Sequence, residues 1–523
     1  MKKSKNQLII IICASILVLF ANLWGYPLYI LDEVKNAHCA YEMMESDNLI
    51  VPTFNGSLRT DKPPLHYYFM IAAYKLFGYG PFAARFFSAV FGILTICLTF
   101  IVSRKYMTER AAKVTAVTLL ASIGFAFQFH LATPDAYLVF FIAAALFSFF
   151  HFFQTGKKLF LYLSYVAMGL AMMTKGPVGI ILPVISIFFF LIAKKKLKRK
   201  MLRSLKVWQG ALLILVINLP WYLAVYVMTD GEWTDQFFFY HNYGRYTSSE
   251  IGHSSAFFLP TLFILAWALP FSAFLIQSLH KPFKYRLNDL AILSLVTFTV
   301  TIVFFSLSSN KLIHYVSPTI PFVAVMTGNF LGSVNSGNWK SSKMNWSIYF
   351  LIALCIIIPI LFYYAFSVSA EFSEYKYYSI IFLSLTAGAL FMIYFLKQKS
   401  LKGVVISMAT SFIFNTNLIF YLLMPQVFSD NPVIASKSII ARADGIGAFR
   451  HFNAAFVPAT EQKIFDLSDL KELHQFFSDY PEGVVITRAR YLDQYDLESS
   501  FEVIFEKNDL IDENKTIILS KKP

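Results

Sequence analysis

The 523-residue chain is 57% hydrophobic and 18% aromatic, with 15% charged residues and a formal net charge of +14. Soluble domains carry about 25% charged residues. Together with a mean hydropathy of +0.57, this excludes a string of soluble domains, a disordered chain and a small disulfide scaffold. The four cysteines show no metal-ligand spacing and predict no disulfide framework.

A bilayer-spanning helix needs about 20 mostly apolar residues. Roughly thirteen such runs precede residue 425, near 7–31, 82–103, 114–132, 136–153, 159–174, 177–193, 207–228, 256–279, 290–308, 313–332, 346–367, 377–396 and 403–424. The first follows "MKKSK". Its apolar part is too long for a signal peptide and lacks a cleavage site, so a retained anchor is expected. The loops on the N-terminal side of the membrane hold 25 basic residues against only Glu109 and Asp289. That asymmetry predicts a cytoplasmic N-terminus. The opposite loops hold nine basic and 13 acidic residues, chiefly in outer loops 32–81 and 229–256.

The last segment, 425–523, has a net charge of −5. Strand-like runs occur at "KIFDL", "GVVITRA", "FEVIF" and "KTIILS". Between the first two lies the helix-like "SDLKELHQFF", with Ser468 as its expected N-cap. The expected architecture is mainly α: a polytopic membrane domain of about 13 transmembrane helices over 1–424, and a small soluble α/β domain over 425–523 on the outer side.

Ionisable groups at the ends of apolar runs are the informative ones in a membrane protein. Asp32 and Glu33 end the first run, and Asp61 and Lys62 follow in "TDKPPLHYY". Asp135 follows the third run, Lys175 the fifth, and His241, Asn242, Arg245 and His253 the seventh. Lys311, in "SSNKLIHY", follows the ninth. All follow odd-numbered runs, so all fall on the outer face. Each has a plain structural reading. Asp32 can N-cap a helix, with Glu33 in its first turn, and Lys62 and Lys175 can snorkel. Pro63 and Pro64 can stiffen a loop, while Trp24, Tyr26 and Trp221 suit an aromatic belt. Asn218 and Pro220 read as a packing feature and a kink. Capping and anchoring explain the joint pattern less well. Cations at a bilayer surface bind phosphate, carboxylates act as bases or orient an acceptor, and a groove between helices holds a lipid tail.

The segment "LDEVKNAHCAYEMMESDNLIVPTFNGSLRTDKPPLHYY" resembles the first outer loop of the protein O-mannosyltransferase-like superfamily of GT-C glycosyltransferases. Its nearest likeness is to the lipid A 4-amino-4-deoxy-L-arabinose transferases. "TPDAY", "GLAMMTKGP", "HNYGRY" with the later "HSSAFF", and "FFSLSSNKLIHYVSP" continue the resemblance in order, from residue 32 to about 321. It implies a GT-C fold, and inverting transfer of a sugar from polyprenyl phosphate, usually undecaprenyl phosphate, at the periplasmic face of the bacterial inner membrane. It implies Asp32, Asp135 and the adjoining Glu33 as catalytic carboxylates. Lys62, Lys175, Arg245, Lys311, His314 and Tyr315 would handle the donor phosphate. A divalent metal (Zn, Mg or Mn) would be held by Asp61 and His253, with His241 as the fallback ligand. Here Asp61 replaces the usual Glu, and "HSSAFF" departs from the usual aromatic context. The expected partners are the lipid-linked donor, lipid A or another envelope acceptor, and the membrane, with no nucleic acid. The alternatives are a protein Ser/Thr or other glycan or lipid acceptor, and a transporter of lipid-linked substrates. A transporter would place its ionisable groups at mid-membrane.

Overall fold

The computed structural model describes residues 2–244, 256–280, 288–335, 339, 343–369, 372–460, 462–510 and 514–522. Each of the thirteen apolar runs falls on helix. Among the described residues, seven helices are long and apolar enough to cross a membrane, or up to nine if each of two sharply bent pairs is one span. The other runs lie on shorter helices, and the chain is a multi-pass membrane protein.

The first run is shorter than expected. Helix α1 (Lys2–Leu19) stops well before residue 31, and a separate outer helix, α2 (Leu31–Glu45), begins there. Asn22, at φ 52°, turns the chain out of the helix. The carbonyls left behind do not go unpaired. Arg85, near the start of α4 (Pro81–Tyr106), donates to the oxygens of Leu23 at 2.9 Å, Tyr26 at 3.0 Å and Pro27 at 3.2 Å. Its guanidinium also lies 3.9 Å from the centre of the Tyr26 ring. Tyr26 is therefore a buried packing partner, and Trp221 is buried against Trp233, so neither is a belt residue.

Arg85 makes a second set of contacts that ties the outer loop to the helical bundle. Nε donates to Glu33 Oε1 at 2.7 Å and Nη2 to Oε2 at 2.8 Å. Both side chains are essentially inaccessible, at 0% and 1% exposure. Glu33 Oε1 accepts a third bond, from the backbone N–H of Ala132 at 3.0 Å. That residue lies in the turn between α6 (Ile123–Phe129) and α7 (Pro134–Thr155), which follow α5 (Glu109–Ala121). Glu33 thus has both oxygens committed. This is a structural role, distinct from the catalytic one that the resemblance implies for it.

Between α2 and α4 lie a small hairpin, β1 (Thr53–Phe54) with β2 (Ser57–Leu58), and helix α3 (Leu65–Phe77), whose N-cap is Pro64. Pro64 is already helical at φ −86°, ψ −10°, so the Pro–Pro pair starts the helix and does not extend the loop. Downstream, α8 (Lys158–Lys175) packs against α7, α9 (Val178–Ala193) and α10 (Val207–Met228). Asn218 donates across to Gly169 O at 3.2 Å and back to Ile214 O at 2.8 Å, two residues before Pro220. This is the packing role expected of it.

After the last apolar helix a five-stranded mixed sheet forms, in the order β4-β3-β5-β7-β6. The strands are β3 (Ile446–Phe449), β4 (Phe465–Leu467), β5 (Val484–Arg488), β6 (Phe501–Asn508) and β7 (Lys515–Lys521). β3 runs parallel to β4 and β5; β7 is antiparallel to β5 and β6. The helix over Leu470–Asp479 is capped by Asp469, not Ser468. Asp469 accepts from Glu472 N at 2.9 Å, and Glu472 reaches back to Ser468 N at 2.6 Å. This reciprocal pair is a capping box shifted by one residue. The sheet is anchored to the outer loop. Tyr29 donates to Asp509 Oδ1 at 2.7 Å, and Asn55 exchanges two hydrogen bonds with the backbone of Ile464, at 2.8 and 3.0 Å.

Breaking one side of a buried ion pair strands the other charge, at a cost of about 3–5 kcal/mol. Glu33→Ala and Arg85→Ala are each expected to lose about that much. The double variant should lose clearly less than their sum, as read by thermal unfolding in detergent. Single losses within about 0.5 kcal/mol of wild type would show that the pair does not organise the fold.

Candidate functional site

The helix ends on the side of residues 32–81 converge on one cavity of about 450 Å³. Its polar wall includes Asp61, Lys62, Asp135, Lys175, His241 and Tyr315, brought from separate parts of the sequence. Its apolar wall includes Leu138, Val178, Ile181, Phe304 and Phe305. Charge at one side and hydrocarbon at the other suit a ligand that is itself amphipathic.

Local chemistry explains how each residue arrives. Asp135 is the second residue of α7, after the helical Pro134, and sits in the favourable first turn of the helix. Lys175 ends α8 because Gly176 adopts φ +83°. A side chain there would also bring its Cβ to 2.6 Å from the Phe237 ring, so only glycine fits both the turn and the packing. Lys175 Nζ lies 2.5 Å from Asp135 Oδ1, and 4.9 Å from the centre of the Tyr315 ring. Phe237, Phe238, His241, Asn242 and Tyr243 line the cavity from a π-helix over Gln236–Gly244. Such wide turns recur at functional sites.

Lys311 donates to Ser308 O at 2.7 Å, and Ser308 lines the cavity. His314 interacts electrostatically with Asp135, Lys175, Asp32 and Lys62, which places it in the same charge cluster. Asp32 is exposed in the first turn of α2, where Ile30 and not Asp32 is the N-cap. It does not line the cavity, but it interacts with both His314 and Arg59. Arg245 and His253 lie outside the described residues.

Arg59 is the main site residue not anticipated from sequence. Its side chain is 5% exposed, with Nε 2.8 Å from Asp61 Oδ1. Its Nη2 donates to Asp61 Oδ2 at 3.1 Å and to Asn36 Oδ1 at 3.0 Å. Asn36 Oδ1 also faces His66 Nε2 at 3.3 Å. Lys62 Nζ stands 3.9 Å from Asp61 Oδ2. Burial raises the Asp61 carboxyl, but Arg59 first, then Lys62 and His241, outweigh it and hold the group well below the usual carboxylate range. Asp61 is ionised at every physiological pH. Only the position of Arg59 in "SLRTDKPP", as one of nine outer-face cations, hinted at this role.

A divalent metal on Asp61 does not fit this arrangement. Both carboxylate oxygens already face the Arg59 guanidinium. A dication about 4 Å from that guanidinium would meet a repulsion of about 8 kcal/mol at an effective dielectric near 20. His241, the fallback ligand, has Nε2 3.1 Å from Thr60 Oγ1. No cluster of three or more His, Cys, Asp or Glu side chains suited to a metal occurs among the described residues.

Residues 61–223 match the family described as dolichyl-phosphate-mannose-protein mannosyltransferase. An uncharacterised protein of Aquifex aeolicus (strain VF5) is 30% identical over 62% of this chain and 73% of its own length. The undecaprenyl phosphate-alpha-4-amino-4-deoxy-L-arabinose arabinosyl transferase of Shewanella sediminis (strain HAW-EB3) is 26% identical over 78% of this chain and 75% of its own. The crystal structure of ArnT from Cupriavidus metallidurans, bound to undecaprenyl phosphate, superposes with a TM-score of 0.81 over 98% of both chains at 19% identity, a likeness of fold. The charged cavity under an outer loop, the ordered motifs and these relatives agree: the chain belongs to the GT-C glycosyltransferases of the protein O-mannosyltransferase-like superfamily, enzymes that use lipid-linked sugar donors, alongside the 4-amino-4-deoxy-L-arabinose transferases.

Proposed function

We propose that the protein transfers a sugar from undecaprenyl phosphate to an envelope acceptor at the periplasmic face of the bacterial inner membrane, with aminoarabinose as the sugar and lipid A as the acceptor. The observation behind this reading is the cavity that holds Lys62 and Lys175 on one wall and Val178, Ile181, Phe304 and Phe305 on another. A polyprenyl phosphate presents the matching pair of surfaces. The excess of basic residues on the N-terminal side supports a cytoplasmic N-terminus. The cavity and the sheet over 446–521 then face the periplasm, with 425–523 as a separate domain there.

In the proposed mechanism Lys62 and Lys175, with Lys311 held at Ser308 on the cavity wall, bind the donor phosphate by charge-assisted hydrogen bonds. They stabilise the charge that it gains as the bond from the anomeric carbon to the phosphate oxygen breaks. The acceptor oxygen attacks that carbon from the opposite face, and the configuration inverts. The electron pair leaves with the phosphate, regenerating undecaprenyl phosphate. A lipid A phosphate is already ionised and releases no proton, so Asp135 serves to orient the sugar, including its amine. Lys175 bridges the two roles, since it contacts Asp135 and stands over Tyr315. Asp32, exposed and close to His314, suits the acceptor side.

A second reading has a hydroxyl acceptor, on a protein or a glycan. The match to the mannosyltransferase family favours it. Asp32 or Asp135 then takes the hydroxyl proton.

Two outcomes are expected from purified protein given undecaprenyl-phosphate sugars and lipid A, with both lipids followed by mass analysis. Asp135→Asn should lower kcat by about 100-fold or more, whereas Asp32→Asn should do so only with a hydroxyl acceptor. Near-normal turnover by both variants, whatever the acceptor, contradicts the site. Separately, Lys62→Met and Lys311→Met should each weaken undecaprenyl-phosphate binding by about tenfold, the loss expected of one charge-assisted bond. Unchanged binding in both places the phosphate elsewhere.

A further inference from the structure

Asp61 lines the cavity, but what holds it there lies behind the wall. Arg59 is fixed at three points besides Asp61. Its N–H donates to Pro52 O at 2.9 Å, its carbonyl accepts from Trp233 Nε1 at 2.8 Å, and its Nη2 donates to Asn36 on α2 at 3.0 Å. It therefore links α2, the β1–β2 hairpin and the aromatic segment that includes Phe237. Its guanidinium engages both oxygens of Asp61, Nη2 by a hydrogen bond to Oδ2 at 3.1 Å and Nε by an ion-pair contact with Oδ1 at 2.8 Å. Arginine at this site is a permanent, undissociable cation.

We propose that Arg59 is a positioning residue of the transfer site: its guanidinium, and not a divalent metal ion, neutralises and orients Asp61 at the cavity wall. The consequence for the donor is electrostatic. Arg59 cancels the charge of Asp61, and Lys62, 3.9 Å from the carboxylate and beyond hydrogen-bond reach, adds a net positive charge at the cavity. A phosphate meets that positive wall without a bridging ion.

The inference rests on the cavity being the transfer site, and the experiment separates the two. Purified full-length protein is analysed for bound metal by mass spectrometry, and transfer from undecaprenyl-phosphate sugar is measured with and without chelator. Wild-type protein is expected to hold no stoichiometric divalent metal and to change by less than about twofold on chelation. Arg59→Ala should lose about tenfold or more in kcat/KM, consistent with a lost charge-assisted pair, and added guanidinium should restore part of that loss. Guanidinium should not rescue Asp61→Ala. Arg59→Lys should fall between wild type and Arg59→Ala, and it stands in if the alanine variant does not fold. A stoichiometric metal that disappears in Asp61→Ala, or wild-type transfer abolished by chelation and restored by Zn²⁺ or Mg²⁺, overturns the proposal. So does an Arg59→Ala variant as active as wild type. If wild-type protein transfers no sugar at all, the functional reading falls, and metal content still decides the role of Arg59.

Discussion

The buried pair of Glu33 and Arg85 is the contact on which the outer half of the molecule depends. Its energy is not the main point, because two desolvated charges roughly repay their own cost. Its geometry is. One guanidinium ties off the carbonyls beyond α1, and one carboxylate reaches the N–H of Ala132. Three residues after Ala132 stands Asp135, and three residues after Glu33 stands Asn36, which holds Arg59 and through it Asp61. Both carboxylates of the cavity are therefore set from the same buried ion pair. Removing it would displace the site before it touched a substrate.

The cavity shows how few charges the chemistry needs. Most of the +14 balance belongs to one side of the membrane and reflects topology. At the site the charges come in short, oppositely paired sets: Arg59 with Asp61, and Lys175 with Asp135. Pairing allows ionised groups to persist beside hydrocarbon, where a lone charge is expensive. It also leaves the groups pre-oriented, so that a phosphate entering the cavity meets fixed dipoles and cations and not mobile side chains.

Much of this was legible in the sequence, and the reasons differ by residue. Asp61, Lys62, Asp135, Lys175 and His241 could be grouped because sidedness is written in the loop charges and needs no knowledge of packing. The structural role of Glu33 was not legible, because its partner Arg85 lies 52 residues away and a first-turn carboxylate looks the same whether it is buried or reactive. The break after Leu19 was hidden because Leu23, Tyr26 and Pro27 are apolar enough to extend a span. Asn22 turns the chain out of the helix, and an arginine on another helix satisfies the carbonyls that follow. Strand β3 was missed for a related reason. "IGAF" is short and glycine-containing, and all four of its residues are buried by long-range pairing with β4 and β5. Ser468 and Asp469 are both good caps, and only the reach of Glu472 decides between them.

The central claim is that the donor phosphate sits between Lys62 and Lys175, with its isoprenoid tail along the wall of Val178, Ile181, Phe304 and Phe305. A cryo-electron microscopy structure of the protein with undecaprenyl phosphate tests it most directly. Phosphate density within hydrogen-bond distance of both lysines, and a tail on that apolar wall, is the predicted result. A lipid bound elsewhere while the cavity between Asp61 and Asp135 stays empty would contradict it.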